Sequence, residues 1–143
     1  MKFILSILLS VCVYTAHGQY NLLGSTEKEI KEFVTTKTGG VFDEASYTNA
    51  GDRVVFFKYP ENDLILISIF YFTNENICFS CEYTYKNDAL LVDIVDQLRA
   101  IPEWEKLDNG KIEFINRKHG WDVLIERYKD KTMSVKFYIT FKS

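Results

Sequence analysis

The sequence predicts an α+β fold in which one antiparallel sheet carries two amphipathic helices on a single face. Three observations lead there. Two segments repeat their apolar residues at helical spacing, near 27–37 and within 87–102. Between and after them the period falls to two, in pieces bounded by turn clusters such as "NAGD", "PEND" and "TNEN". The order of helix, short strand and three long strands also occurs twice, which suggests an αββββ unit in tandem over 19–86 and 87–143. No Pro/Ser-rich linker separates the halves, so a single α+β domain, 19–143, is expected to share one core.

The chain opens "MKFILSILLSVCVYTAHGQ": Lys2, an apolar run from Phe3 to Val13, then small residues at Ala16 and Gly18. This pattern predicts a signal peptide, 1–18, with the mature chain starting at Gln19, because the run is shorter than the ~20 residues that span a bilayer. Val11 is too bulky for a lipobox position before Cys12, so lipidation there is not expected. The expected location is exported, periplasmic or extracellular, with no membrane span after cleavage.

Thr26 stands three residues before Glu29, a capping box, and Ile30, Phe33 and Val34 share the face of the helix that follows. Gly39-Gly40 ends it. Strands are predicted near 42–47, 53–59, 63–72 and 76–85. A second helix should start at Asn87 or Asp88, present Leu91, Ile94, Val95 and Leu98 on one face, and stop at Pro102. A short segment at 104–107, the Asn109-Gly110 turn and strands near 111–117, 121–129 and 132–142 complete the second unit. The last strand alternates cleanly: Met133, Val135, Phe137, Ile139 and Phe141 face one way, polar residues and Tyr138 the other. "DLILISIFYF", 63–72, is instead apolar on both sides, which asks either for a shielding loop or for a partner surface, a homodimer included.

The openest hint of chemistry is C-x-x-C at Cys78 and Cys81. In a regular strand the two thiols point to opposite sides, and three residues span about 10 Å, beyond the ~7 Å Cα separation of a disulfide. Only a β-bulge would bring them together. No helix starts here to lower a thiol pKa as in thioredoxin-type pairs. Zinc would need two more ligands, and beyond the leader the chain has one histidine, His119, and no other cysteine. Cys81 is expected to be buried and Cys78 partly exposed; no metal and no cofactor is expected.

His119 sits in "NRKHGWD", a hairpin tip, where a solvated turn residue is the default; a small hydrolase using it with a carboxylate or Cys78 is the rival to a binding role. No Gly-rich phosphate loop or G-x-S-x-G occurs. The chain carries 17 Lys and Arg against 20 Asp and Glu without a basic block, which argues against nucleic acid as a partner. What stands out is aromatic content: 11 Phe, 9 Tyr and 2 Trp. Trp104, Trp121, Tyr128 and Tyr138 are the candidate binding residues, since aromatics with a polar tip at a wet face anchor interfaces.

"NLLGSTEKEIKEFV" and "YFTNENICFSCEYTY", after a leader ending "HGQ", resemble small uncharacterised exported proteins of the Bacteroidota. More distantly, "LLGSTEKEI", 22–30, is similar to the helix opening of small barrel-assembly-machinery lipoproteins and of β-lactamase-inhibitor-protein-like domains, which also use tandem helix-plus-sheet units. The chain lacks their lipobox and the proline that often follows the helix. The resemblance implies an envelope or inhibitor setting, and with the residues above it leads to a non-enzymatic exported domain that binds a protein partner.

Overall fold

The computed structural model describes residues 22–139. The predicted leader, Gln19 and Cys12 lie outside the described residues, as does the last strand beyond Ile139.

Helix α1 spans Glu27–Phe33 and starts where the capping box places it. The Thr26 hydroxyl oxygen accepts from the Glu29 backbone N–H, and Glu29 Oε2 accepts from the Thr26 N–H at 2.8 Å. Regular helix stops at Phe33, earlier than its periodicity predicts, and Val34–Thr38 forms a π-helical turn. The cause is local: Thr35, Thr36 and Thr38 hydroxyls each donate to a carbonyl four residues back, at 2.7, 2.6 and 2.7 Å. Gly39, at φ +71°, reverses the chain. Gly40 must be glycine for a second reason, because a Cβ there would meet Val34 Cγ1 at 2.4 Å.

Four strands follow: β1 Val41–Tyr47, β2 Arg53–Lys58, β3 Ile65–Phe72 and β4 Cys78–Tyr85. Helix α2, Leu91–Ala100, leads to β5 Glu105–Lys106, β6 Ile112–Asn116, β7 Trp121–Arg127 and β8 Met133–Ile139. All eight form one antiparallel sheet in the order β1-β2-β3-β4-β8-β7-β6-β5. The molecule is therefore mostly sheet, two meanders joined where β4 pairs β8, with β1 and β5 at the outer edges. Neither candidate cap opens α2. Asn87 Oδ1 accepts from Ala89 N–H at 2.9 Å in a local turn, Asp88 pairs with Arg127 at 2.6 Å, and the helix begins after Leu90.

One core lies between the helices and the sheet. Ile30 and Val34 from the first helical segment, and Ile94 and Leu98 from α2, join Phe57, Phe70, Phe114, Val123 and Phe137 in a single buried cluster. Along β8 the predicted alternation holds, with Met133, Val135 and Phe137 buried and Lys136 and Tyr138 half-buried on the other side.

Two bulges interrupt β3–β4. Ile65 pairs Tyr85 and Ile67 pairs Thr84, so Leu66 is an extra residue on β3; Tyr71 pairs Ser80 and Phe72 pairs Cys78, so Phe79 is an extra residue on β4. Each extra residue shifts side-chain parity by one. Ile65 is carried to the helix side beside Tyr85, and Leu66 is left 39% exposed.

Candidate functional site

The same bulge decides the cysteines. Phe70 pairs Cys81 and Phe72 pairs Cys78, and Phe70 and Phe72 share one face, so both thiols point into the core. The expectation of opposite faces with Cys78 partly exposed is corrected: each is 0% exposed, and neither sits in a disulfide. Burial pushes Cys78 up to about 12 and Cys81 well above the usual thiol range. Cys78 Sγ donates to the Ser80 carbonyl at 3.4 Å. Neither sulfur is a thiolate at neutral pH, so neither is poised as a nucleophile.

His119 lies exposed in the turn between β6 and β7, its ring stacked on Trp121 at 4.6 Å between centroids. Its N–H donates to Asn116 Oδ1 at 3.2 Å. Cys78 is sealed in the core and cannot meet it. Among the described residues no cluster of three His, Cys, Asp or Glu side chains could hold a metal ion.

The four aromatic candidates do not converge. Trp104 is 6% exposed and part of the core, and Trp121 packs against that core from the helix side. Tyr128 and Tyr138 occupy the opposite face. Tyr128 is 46% exposed, with its hydroxyl 3.2 Å from Ser134 Oγ. Tyr138 donates to Glu113 Oε1 at 2.9 Å. Burial, then the Glu113 and Asp122 carboxylates, hold its hydroxyl well above the ordinary phenol range, so it stays a donor.

This open face is the largest feature on the helix-free side. Cross-strand pairs share a face, so Val54↔Tyr71, Phe56↔Ile69 and Lys58↔Ile67 set five apolar side chains and a lysine together across β2 and β3. Phe79, the bulge residue, packs on Tyr71 at 6.3 Å between centroids, and Lys136 Nζ stands 5.5 Å above the same ring. None of these belongs to the buried core cluster, and no described helix covers them. Beyond β4 the face is mixed: Glu82↔Lys136 and Asp122↔Tyr138 are cross-strand neighbours and Glu113 is bonded to Tyr138, with Leu124 and Ile115 on the same side. A shallow depression of about 500 Å³ opens at one end, walled by Tyr59, Pro60, Leu66, Ile67 and Thr84 with Lys58 and Lys86 at its rim. Its walls contain no carboxylate, histidine or cysteine. Around this depression the face offers apolar contact, with lysine donors beside it.

Sequence reasoning found the doubly apolar strand but not which of its residues face out, because the Leu66 bulge reverses parity inside it. It also missed a clasp on the helix side. Glu27 accepts from Arg53 through both carboxylate oxygens and pairs with Lys31 at 2.7 Å. Lys31 Nζ lies 4.6 Å from the Phe42 ring, and the Arg53 guanidinium 5.7 Å from the Tyr47 ring. Glu27 and Lys31 at i, i+4 were the available signal; Arg53 comes from a strand 26 residues away.

No family model matches this chain, and no curated protein and no solved structure matches it. The functional reading rests on the geometry.

Proposed function

We propose that this chain is an exported, non-enzymatic binding protein that holds a protein partner on the open face of its sheet. The observation that carries the reading is the stripe of Phe56, Ile67, Ile69 and Tyr71, partly exposed apolar side chains on a face that no described helix covers, with Val54 buried beneath them. Burying such a stripe against a partner gains ~25 cal/mol per Å² of apolar surface removed from water. The Tyr138–Glu113 bond and the Lys136–Glu82 neighbours give the adjoining half a polar rim, which sets orientation more than affinity. We read the two helix-plus-meander halves as a tandem αββββ repeat whose outer faces form one continuous surface. The leader at 1–18 would deliver it to the periplasm or the medium.

The test is comparative capture from the organism's own envelope and medium. Wild-type chain is expected to retain a partner that Ile69→Glu loses, while Tyr128→Ala and Tyr138→Ala weaken retention. Retention of the same partner by folded Ile69→Glu would place the interface elsewhere.

A further inference from the structure

We propose that the free edge of β1 is a docking site for an extended peptide segment with basic residues along one side, added to the sheet as a ninth strand. β1 ends the strand order and pairs only with β2, so one row of its backbone donors and acceptors is unpaired among the described residues. Of the six large apolar side chains that are exposed among the described residues, three sit on this one strand: Val41 at 54%, Phe42 at 45% and Tyr47 at 67%. Two of those rings are already held in place. Lys31 lies over Phe42 and Arg53 over Tyr47, and Glu27 pairs with both cations, so less side-chain freedom is lost when a partner covers the rings.

Edge strands are ordinarily guarded by lysine or proline, and β1 has neither. Its guards are the charges of Asp43 and Glu44 and the bulge between Phe42 and Glu44, which leaves Glu44–Tyr47 in regular register with Phe56–Arg53. At the other end of the sheet β5 offers only two residues.

Charge selects the occupant. Asp43 is neutralised by Lys58 at 2.8 Å, whereas Glu44 is exposed and makes no ion pair among the described residues. A second copy pairing antiparallel through β1 in the register centred on Glu44 would set the two Glu44 side chains opposite each other, a like-charge arrangement that opposes that pairing. A lysine or arginine of an incoming strand meets Glu44 on the open side instead. Its alternate residues then face the helix side and lie against Phe42 and Tyr47, so the fitting segment alternates basic and apolar residues. The edge adjoins the open face, since Glu44 stands opposite Phe56, but backbone pairing along β1 and packing over β2 and β3 are distinct contacts, and the two readings fail independently.

The probe is a nine-residue blocked peptide alternating valine and lysine, with its valine–glutamate counterpart as control, titrated into isotope-labelled protein while backbone amide shifts are followed. The lysine peptide is expected to shift the amides of Glu44–Tyr47 and to bind about tenfold more tightly than the glutamate peptide at low salt, a preference that shrinks in 1 M salt. Glu44→Lys should invert the preference and Glu44→Gln abolish it. Tyr47→Ala should weaken the lysine peptide severalfold without moving the thermal midpoint. Absent binding, equal affinity for the two peptides, an unchanged preference in folded Glu44→Lys, or shifts centred on another surface overturns the proposal. So does self-association of the free protein through the same amides.

Discussion

The two meanders use the same elements and differ in regularity. In the first, β1–β2 and both ends of β3–β4 are bulged, and the outward side chains of β2 and β3 are largely apolar. In the second, β6, β7 and β8 pair without a break, and the outward residues include Glu113, Asp122, Lys136 and Tyr138. Away from the β1 edge the inward residues are alike in both halves, mostly apolar and sealed, because the helices must be covered there. The outward side carries no such requirement. It can be apolar in one half and polar in the other, and a bulge lets a strand that is apolar throughout satisfy the core and still present Leu66 or Phe79 outward.

The sharpest way to break this comparison is to exchange inward and outward residues. Phe137→Ala removes a 2%-exposed ring from the core side of β8 and should cost ~3–5 kcal/mol in urea unfolding. A loss below about 1 kcal/mol would mean that the regular half is out of register.

Gly40→Ala tests the tight turn that enters the bulged half. The new methyl meets Val34 Cγ1, and overpacking of this kind costs ~1–3 kcal/mol, read as a lower thermal midpoint. An unchanged midpoint would show that the π turn gives way freely.

Each half ties its helix start to a strand by an ion pair, Glu27–Arg53 in the first and Asp88–Arg127 in the second. The Arg53 hydrogen bonds, then Lys31, hold Glu27 at about 2 against burial. A carboxylate depressed on folding stabilises the native state above its unfolded pKa of ~4.3, and that contribution is lost as pH falls from about 5 towards 2. With Arg53 a third exposed, screening leaves about 1 kcal/mol at pH 7. Glu27→Gln should show that deficit at neutral pH and converge with wild type near pH 2; a constant deficit across the range would assign it to packing.

The smallest stability effects belong to the outward tyrosines. Tyr128→Ala should stay within about 0.5 kcal/mol of wild type. Tyr138→Phe should lose about 1 kcal/mol with the bond to Glu113. The bulge in β4 has a kinetic signature of its own. Because it buries both thiols, Cys78 and Cys81 should be alkylated together and only on unfolding, as resolved by mass spectrometry over time. Fast labelling of Cys78 alone would restore a straight strand.

Much of this fold was legible because local chemistry and tertiary packing agree. Thr26 and Glu29 cap α1 as their spacing requires, and β8 alternates because one side is sealed and the other is not. The candidate site was less legible. Trp104 and Trp121 read as surface aromatics beside a turn, yet both pack with the core on the helix side, since composition does not say on which face of a sheet an aromatic falls.

By itself, the sequence determined the antiparallel meanders, the two helices, the order in which they come and the register of β8. Those follow from periodicity and turn chemistry, which act within a few residues. Only the tertiary structure decided that the meanders join through β4 and β8, that Arg53 reaches Glu27, and that Cys78 turns inward to lie with Cys81. An extra residue such as Leu66 leaves no mark where its neighbours on either side are apolar. The bulge is chosen by what the neighbouring strand and the helices above can bury, and that is settled between segments far apart in the chain.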